Sequence, residues 1–188
     1  MTPMPSPRDT PDAPPAGAPP HEGPARAADV HLITTGGSMD KRYSAEASDF
    51  IVDAPAAAAI LAESFVTLRV HVEALLRKDS LALTDQDRAL IRARVVAAPC
   101  PRVIITHGTD TMPQTGRALS DIPGKTIVLT GAMQPAAFKH SDAHFNLGAA
   151  VAAVQTLPPG VYIAMNGRIL DPQAVTKNVA ENRYDPVT

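Results

Sequence analysis

The sequence predicts an α/β three-layer domain with a mainly parallel sheet, and two features lead to that prediction. From Val30 onward, short runs rich in Val and Ile alternate with longer amphipathic stretches, the pattern of parallel strands joined by crossover helices. The chain has 188 residues, 45% of them hydrophobic, which is enough to bury the core of one domain. We expect residues 29–188 to form this domain.

Five runs have the length and composition of core strands. Each is rich in β-branched and other aliphatic residues, which favour an extended backbone. The predicted strands are 30–33, 66–72, 103–106, 126–129 and 161–165. Because open parallel sheets bind ligands beyond the carboxyl ends of their strands, we expect the chemistry of this chain in the loops that follow these runs.

Four stretches between the strands carry Ala, Leu, Arg and Gln at helical spacing and should cover both faces of the sheet. They are 55–63, 84–97, 114–119 and 141–154. The start of the second is the clearest. Thr84 precedes Asp85 and Asp87, so a capping hydroxyl and two carboxylates meet the positive end of the helix dipole.

The first 28 residues differ in composition from the rest. They are crowded with Pro, Ala, Gly and Asp and include Pro14-Pro15 and Pro19-Pro20, which break helices and remove backbone donors. Residues 1–28 are therefore predicted to be a disordered arm. A proline-rich docking ligand is the alternative, and it would need a partner groove.

Charge and cysteine content exclude several classes of function. With 17 basic and 19 acidic residues, the chain has no basic excess for nucleic acid or an anionic membrane. The single cysteine, Cys100, allows neither an intramolecular disulfide nor a thiolate metal cage, which fits a reducing cytoplasm. Neither a secretory signal pattern nor a membrane-spanning apolar run is present. We expect a cytoplasmic protein that binds neither nucleic acid nor membrane.

The loop after the first strand reads TTGGSMDKRY and presents Ser38 just beyond the strand. Gly36 and Gly37 permit a tight turn, so the Ser38 hydroxyl should face the crevice. A phosphate-binding turn or a plain loop would also fit two glycines before a serine. A dinucleotide site is disfavoured because the third glycine of its fingerprint is missing.

The third strand runs into HGTDTM, which places His107, Thr109 and Asp110 at its carboxyl end. Burying an imidazole, a hydroxyl and a carboxylate there costs free energy unless they bond to one another or to a ligand. This cluster favours a functional site. His140 and His144 have the spacing of two metal ligands on a helix, but no third ligand stands out, so no metal is expected.

Four motifs in order, TTGGS, HGTDTM, LTGAMQP followed by SDAHFN, and DPQAVTKN, resemble those of bacterial-type asparaginases and glutaminases. The resemblance covers about residues 30–182 and is to the short asparaginases in particular, which keep the amino-terminal domain of the longer enzymes and lack the second. It implies the fold of that amino-terminal domain. It also implies hydrolysis of L-asparagine to L-aspartate and ammonia through a hydroxyl nucleophile, without a cofactor, in a homodimer or larger oligomer.

The resemblance assigns roles to individual residues. Ser38 stands where the family has its nucleophilic threonine, and it lacks the methyl group that restricts the rotamer, so a looser nucleophile is expected. Thr109 would hold or activate the attacking hydroxyl or water, and Asp110 would bind the ammonium group of an amino-acid amide. At this point either Ser38 or Thr109 can start the attack. Backbone donors near Ala132 would stabilise the oxyanion.

Lys177 matches the lysine that completes the family's Thr-Lys-Asp group. Lys177 can accept a proton only when it is neutral. Burial lowers its pKa and Asp110 raises it, and the sequence does not show which of the two effects is larger. Without the motif, a surface lysine would be the simpler interpretation. Ser80, in RKDSLAL, matches the serine that binds the substrate α-carboxylate. Ala82 stands where short relatives often carry an acid, which bears on substrate preference.

Tyr43 matches the loop tyrosine that orients the nucleophile, with a packing residue as the alternative. The long enzymes complete the site with an acid from the second domain of a neighbouring subunit. We hypothesise that Glu181, Asn182 and Tyr184 supply a substitute across a dimer interface; otherwise the site works without it. A non-catalytic amino-acid binding or sensing module, and a glutaminase or other small-amide hydrolase, are the alternative functions.

Overall fold

A computed structural model describes residues 28–187, which contain four α-helices and ten β-strands. The strands are β1 (Val30–Gly36), β2 (Lys41–Ser44), β3 (Asp49–Val52), β4 (Val70–Lys78), β5 (Arg102–Thr106), β6 (Thr126–Thr130), β7 (Gly160–Met165), β8 (Arg168–Leu170), β9 (Val175–Asn178) and β10 (Arg183–Pro186). The helices are α1 (Ala57–Glu63), α2 (Asp85–Ala97), α3 (Met112–Ala118) and α4 (Ala143–Thr156). Apart from Ala28, the predicted arm lies outside the described residues. None of these four helices combines the length and apolarity needed to cross a membrane.

Six strands form one mainly parallel sheet in the order β4-β1-β5-β6-β7-β8. Every neighbouring pair from β4 to β7 is parallel, and only β8 runs antiparallel to its neighbour. The chain passes from β1 to β4 on one side and then crosses to β5 on the other, so the strand order reverses between β1 and β5. In open α/β sheets the ligand crevice lies beyond the carboxyl ends of the strands at such a point.

Helices cover both faces of this sheet because strand side chains alternate between the faces. Ile33 and Ile105 pack into one core with side chains of α2 and α3. Leu32 and Ile104 pack into a second core with side chains of α1 and α4. The predicted three-layer α/β fold is confirmed.

The capping motif at the start of α2 is also confirmed. The Thr84 hydroxyl accepts a hydrogen bond from the Asp87 backbone N–H at 3.2 Å, and the Asp87 carboxylate accepts one from the Thr84 N–H at 2.8 Å. The same carboxylate accepts from Lys78 Nζ at 2.8 and 2.9 Å. The helix start is thereby tied to the end of β4.

The second strand lies later in the chain than the sequence predicts. The aliphatic pattern favours residues 66–72, but β4 spans Val70–Lys78. A tight turn closes α1, in which the Val66 N–H donates to the Leu61 carbonyl and Phe65 has a φ of 52°, so the extended backbone starts later. β4 then runs on into charged residues, which an edge strand tolerates because water reaches it.

Two hairpins and the short strand β8 add to the predicted elements. β2 pairs with β3, and β9 pairs with β10, each in antiparallel register. These segments carry mixed polar and apolar residues without a continuous aliphatic run. They are extended because they pair with each other. The β9–β10 hairpin also brings Lys177 and Tyr184 to Thr109 in the loop after β5.

Candidate active site

The loops that follow β1 and β5 meet through glycine backbone. A Cβ atom on Gly37 would lie 2.4 Å from both Cα and N of Gly108, and a Cβ atom on Gly108 would lie 2.6 Å from the Ser80 Cβ. Gly37 also has a φ of 91°, which L side chains rarely adopt. This contact brings the loops that carry Ser38, Ser80 and Thr109 side by side.

Ser38 opens a short 3-10 turn, Ser38–Asp40, at the end of β1. The Asp40 N–H donates to the Gly37 carbonyl at 3.2 Å, and the Asp40 carboxylate accepts from the Ala56 N–H at 2.9 Å. Ser38 is half-buried, whereas Asp40 is buried. The turn is therefore anchored to the start of α1 by a carboxylate whose role the sequence did not reveal.

Thr109 and Lys177 are in direct contact although 68 residues separate them. The Lys177 Nζ donates to the Thr109 Oγ1 at 3.1 Å and lies 2.8 Å from the Met133 Sδ. Thr109 is in the loop after β5, Lys177 is on β9, and Met133 follows β6. Three separate segments thus converge on one amine.

Burial lowers the pKa of Lys177 below its ordinary value, while the nearby carboxylates of Asp110 and Asp142 act in the opposite direction. Of the two opposing effects that the sequence named, burial is the larger. A lowered pKa increases the neutral fraction of the amine. Only that fraction can accept a proton from a hydroxyl group.

Tyr184 contacts both members of this pair. It is the cross-strand partner of Lys177 in the β9–β10 hairpin, and its ring centroid lies 5.7 Å from the Lys177 Nζ. Its hydroxyl donates to the Thr109 carbonyl at 2.6 Å. Burial raises the pKa of this hydroxyl, so it keeps its proton and remains a donor.

The position of Tyr184 corrects one part of the hypothesis about the chain end. Its side chain is only 2% exposed and packs within its own chain, so it is not available to a partner subunit. Glu181 and Asn182 are exposed in the turn of the hairpin, and their part in a dimer stays a prediction.

The loop after β6, which contains the buried Ala132, is held in place by Asp142. The Asp142 carboxylate accepts hydrogen bonds from the backbone N–H groups of Met133 at 3.0 Å and Gln134 at 3.1 Å, and from the Asn146 side chain at 2.7 Å. Asp142 and Asn146 belong to the SDAHFN motif, which by itself gave them no individual role. They fix the loop from which oxyanion donors were predicted.

Ser80 lies beneath the crevice rather than open to it. Its side chain is 1% exposed, and its hydroxyl has no hydrogen-bond partner among the described residues. Its carbonyl accepts from the Thr111 hydroxyl at 2.8 Å. The Ser80 hydroxyl lies directly under Gly108, and the buried hydroxyls of Thr34 and Thr106 are unpaired in the same way.

Tyr43 lies on β2 and is 58% exposed. Its ring packs edge-on against Phe50 of β3, with the centroids 5.8 Å apart, and Phe50 packs in the same way on Phe138 at 5.7 Å. The packing alternative therefore describes the contacts of Tyr43 in this structure. Its orienting role stays a prediction.

The polar cluster after β5 has two parts. Asp110 is half-buried and close enough to Lys177 to affect its pKa, whereas His107 is buried away from the crevice. The Gly108 carbonyl can only accept, so His107 Nδ1 donates to it at 2.7 Å and Nε2 accepts from the Thr115 hydroxyl at 2.8 Å. Burial lowers the pKa of His107 to about 4, so the ring is neutral and supports the turn.

A cavity of about 290 Å³ opens beside Met133 and Asp142. Its other lining residues include His140, Asn166 and Asn182, so most of its wall is polar. This volume is near the lower end for small-molecule sites. Within residues 28–187, no three His, Cys, Asp or Glu side chains converge in a way that could hold a metal ion.

The fold and this cluster define an α/β domain in which hydroxyl groups, a half-buried amine and carboxylates gather at the carboxyl ends of the parallel strands. The chain belongs to the asparaginase family, because the family model described as Asparaginase, N-terminal, matches residues 29–185.

Individual relatives agree with this assignment. The chain is 33% identical over 114 residues to an L-asparaginase of Thermococcus kodakarensis, a match that covers 58% of this chain and 35% of the relative. It is 33% identical over 160 residues to one component of the glutamyl-tRNA(Gln) amidotransferase of Aeropyrum pernix, covering 78% of this chain and 36% of the relative. A solved structure of the Thermococcus kodakarensis L-asparaginase superimposes with a TM-score of 0.71 at 27% identity, covering 84% of this chain and 51% of that chain. The chain thus spans about a third of these curated relatives and about half of the solved chain.

The buried Asp40 should make stability depend on pH. Burial raises its pKa from 3.8 to about 6, so between these values the folded protein binds more protons than the unfolded chain and its stability falls as the pH rises. Asp40→Asn keeps an oxygen for the Ala56 N–H and should be more stable than the wild type by about 1–3 kcal/mol above the folded-state pKa, with no advantage below 3.8. Urea unfolding across this pH range measures the difference. Glu46→Gln, an exposed acid, is the control, and parallel pH curves for wild type and Asp40→Asn would contradict the prediction.

Proposed function

We propose that this chain hydrolyses the side-chain amide of L-asparagine to L-aspartate and ammonia through a hydroxyl nucleophile. The observation that carries the proposal is the 3.1 Å contact between the Lys177 Nζ and the Thr109 Oγ1, made by an amine whose pKa burial lowers. An amine beside a hydroxyl can take the hydroxyl proton in its neutral form, and a lowered pKa increases the fraction in that form. The name of the Thermococcus kodakarensis relative, L-asparaginase, supports the same reaction.

The proposed route has two steps and needs no cofactor. The Ser38 oxygen attacks the carboxamide carbon, the amide C–N bond breaks, and the Ser38 proton leaves with the amine as ammonia. Lys177 and Thr109 then take a proton from water, which attacks the ester, and the aspartate carboxylate is released with the Ser38 hydroxyl restored. The loop held by Asp142 places backbone N–H groups near Ala132, where the oxyanion would form.

Substrate binding rests on two groups. Asp110, half-buried beside Lys177, would pair with the α-ammonium group. The unpaired Ser80 hydroxyl would gain a partner in the α-carboxylate, and reaching it requires the loop at Gly108 to move. The cytoplasmic location and the homodimer or larger oligomer stay predictions of the sequence.

A module that binds an amino acid without hydrolysing it is the second candidate. Ser38 in place of the family's nucleophilic threonine favours it. Both candidates predict that asparagine raises the melting temperature, but only the enzyme releases ammonia. A glutaminase would prefer glutamine, whose side chain is longer than that of asparagine. The same ammonia assay with glutamine therefore distinguishes a glutaminase from an asparaginase.

Ammonia release from asparagine is the direct test. Lys177→Met should lower kcat by about a hundredfold or more, the contribution typical of a general base, because Lys177 takes the proton from water in the second step. Lys139→Met removes an exposed lysine and should leave the rate unchanged. Thermal stabilisation of the wild type by asparagine without ammonia above background would favour the binding module, and equal rates for Lys177→Met and wild type would exclude the proposed base.

Rapid mixing tests whether the Ser38 or the Thr109 hydroxyl attacks the substrate first. If Ser38 attacks and Thr109 serves the second step, Thr109→Val should release about one equivalent of ammonia in a burst and then stall, because the acyl-enzyme accumulates. Ser38→Ala should give no burst. The reverse pattern would assign the attack to Thr109.

Tyr184→Phe removes only the hydroxyl that donates to the Thr109 carbonyl. We expect kcat to fall about tenfold with little change in KM, because Thr109 and Lys177 lose their fixed geometry while binding groups stay in place. Tyr162→Phe is a matched control, since it removes a hydroxyl that also donates to a backbone carbonyl, that of Pro158. A loss of melting temperature with unchanged kcat would show that Tyr184 acts on stability alone.

A further inference from the structure

The β2–β3 hairpin starts directly after the turn that carries Ser38. Among the described strands, β2 and β3 form a sheet of their own and do not join the main sheet. A two-stranded hairpin by itself is only marginally stable in water. The position of this hairpin therefore depends on its contacts with other parts of the domain, and two contacts of the segment lead to the loop after β6.

The first contact is made by the backbone next to the proposed nucleophile. The carbonyl of Met39, which follows Ser38, accepts a hydrogen bond from the Ala136 N–H at 3.0 Å. The Met39 side chain is 1% exposed and belongs to the same core as Ala132, near which the oxyanion donors are predicted. The Ser38 turn and the loop after β6 thus meet within one residue of the nucleophile.

The second contact is an aromatic stack, formed by the rings of Tyr43, Phe50 and Phe138. Tyr43 and Phe50 are cross-strand partners in the hairpin, whereas Phe138 lies in the loop after β6. The rings pack edge to face, with centroids 5.8 Å apart for Tyr43 and Phe50 and 5.7 Å apart for Phe50 and Phe138. This geometry is favourable for aromatic pairs. The stack therefore joins the hairpin to the loop after β6 on the surface of the domain.

The backbone around Phe138 fixes the position of its ring. The Phe138 N–H donates to the Pro135 carbonyl at 3.0 Å, and the Phe138 carbonyl accepts from the Ser141 N–H at 3.1 Å. The three rings of the stack nevertheless stay between 42% and 58% exposed, so they contribute less to the core than buried aromatic residues would. Their main effect is to connect two segments that both lead to the proposed site.

We propose that Phe138 is a positioning residue, which acts through Phe50 to hold the Ser38 turn in register with the oxyanion donors near Ala132. This inference rests on the proposed function, because it assigns the attack to Ser38. Ser38 has no methyl group to restrict its own rotamer, so more of the geometry of attack depends on where its backbone is held. Phe138 need not contact the substrate to have this effect.

Steady-state ammonia release from asparagine tests the effect on catalysis. Phe138→Ala should lower kcat about tenfold and change KM by less than about twofold, because the nucleophile is misplaced while the binding groups stay in place. Phe138→Tyr keeps the ring and should retain the wild-type kcat. Phe145→Ala removes a ring on α4 that is 64% exposed and lies outside the stack, and it should also retain the wild-type kcat.

A double variant tests whether Phe138 acts through Phe50. If each single substitution to alanine removes the same ring contact, the combination of Phe50→Ala and Phe138→Ala should be no slower than the slower single variant. A kcat in the double variant equal to the product of the two single effects would overturn this part of the inference.

Hydrogen exchange tests the contact without any need for activity. Phe50→Ala should speed amide exchange in residues 133–141, and Phe138→Ala should speed it in residues 41–52, by about threefold or more in each case. Phe145→Ala should change neither segment. If the wild type releases no ammonia, the proposed function fails, while faster exchange in both segments still supports the connection between the loops. Unchanged exchange in both variants, or an unchanged kcat for Phe138→Ala in an active enzyme, would overturn the inference.

Discussion

The close approach of Gly37 and Gly108 is the constraint on which the site depends. β1 and β5 are adjacent parallel strands, so the loops leaving them start only about 5 Å apart. Side chains at these two positions would hold the loops apart, since a Cβ on Gly37 would lie 2.4 Å from the Gly108 backbone. Because positions 37 and 108 carry no side chain, the two loops lie side by side. The next residues, Ser38 and Thr109, are then neighbours at the edge where α/β sheets bind ligands.

The environment of Lys177 explains why burial prevails over two nearby carboxylates. The contacts of its amine are a hydroxyl, a thioether and the face of an aromatic ring, none of which carries a full charge. The Asp142 carboxylate is already bonded to two backbone N–H groups and to Asn146, so it is directed at the loop after β6. Asp142 thus holds the backbone of the proposed oxyanion site, and it acts on Lys177 only through its charge, which raises the pKa of the amine less than burial lowers it.

The sequence by itself determined the fold class and the location of the chemistry, because both follow from local patterns. Aliphatic runs mark the strands, and polar motifs such as TTGGS and HGTDTM follow them directly. The family resemblance led us to expect Lys177 beside Thr109, but tertiary structure alone decided that Met133 also contacts the amine, that Tyr184 turns inward against both residues, and that the Ser80 hydroxyl is covered. These outcomes depend on contacts between residues far apart in the chain and on the water those contacts exclude. No local pattern contains that information, since the free energy of a polar group depends on what surrounds it.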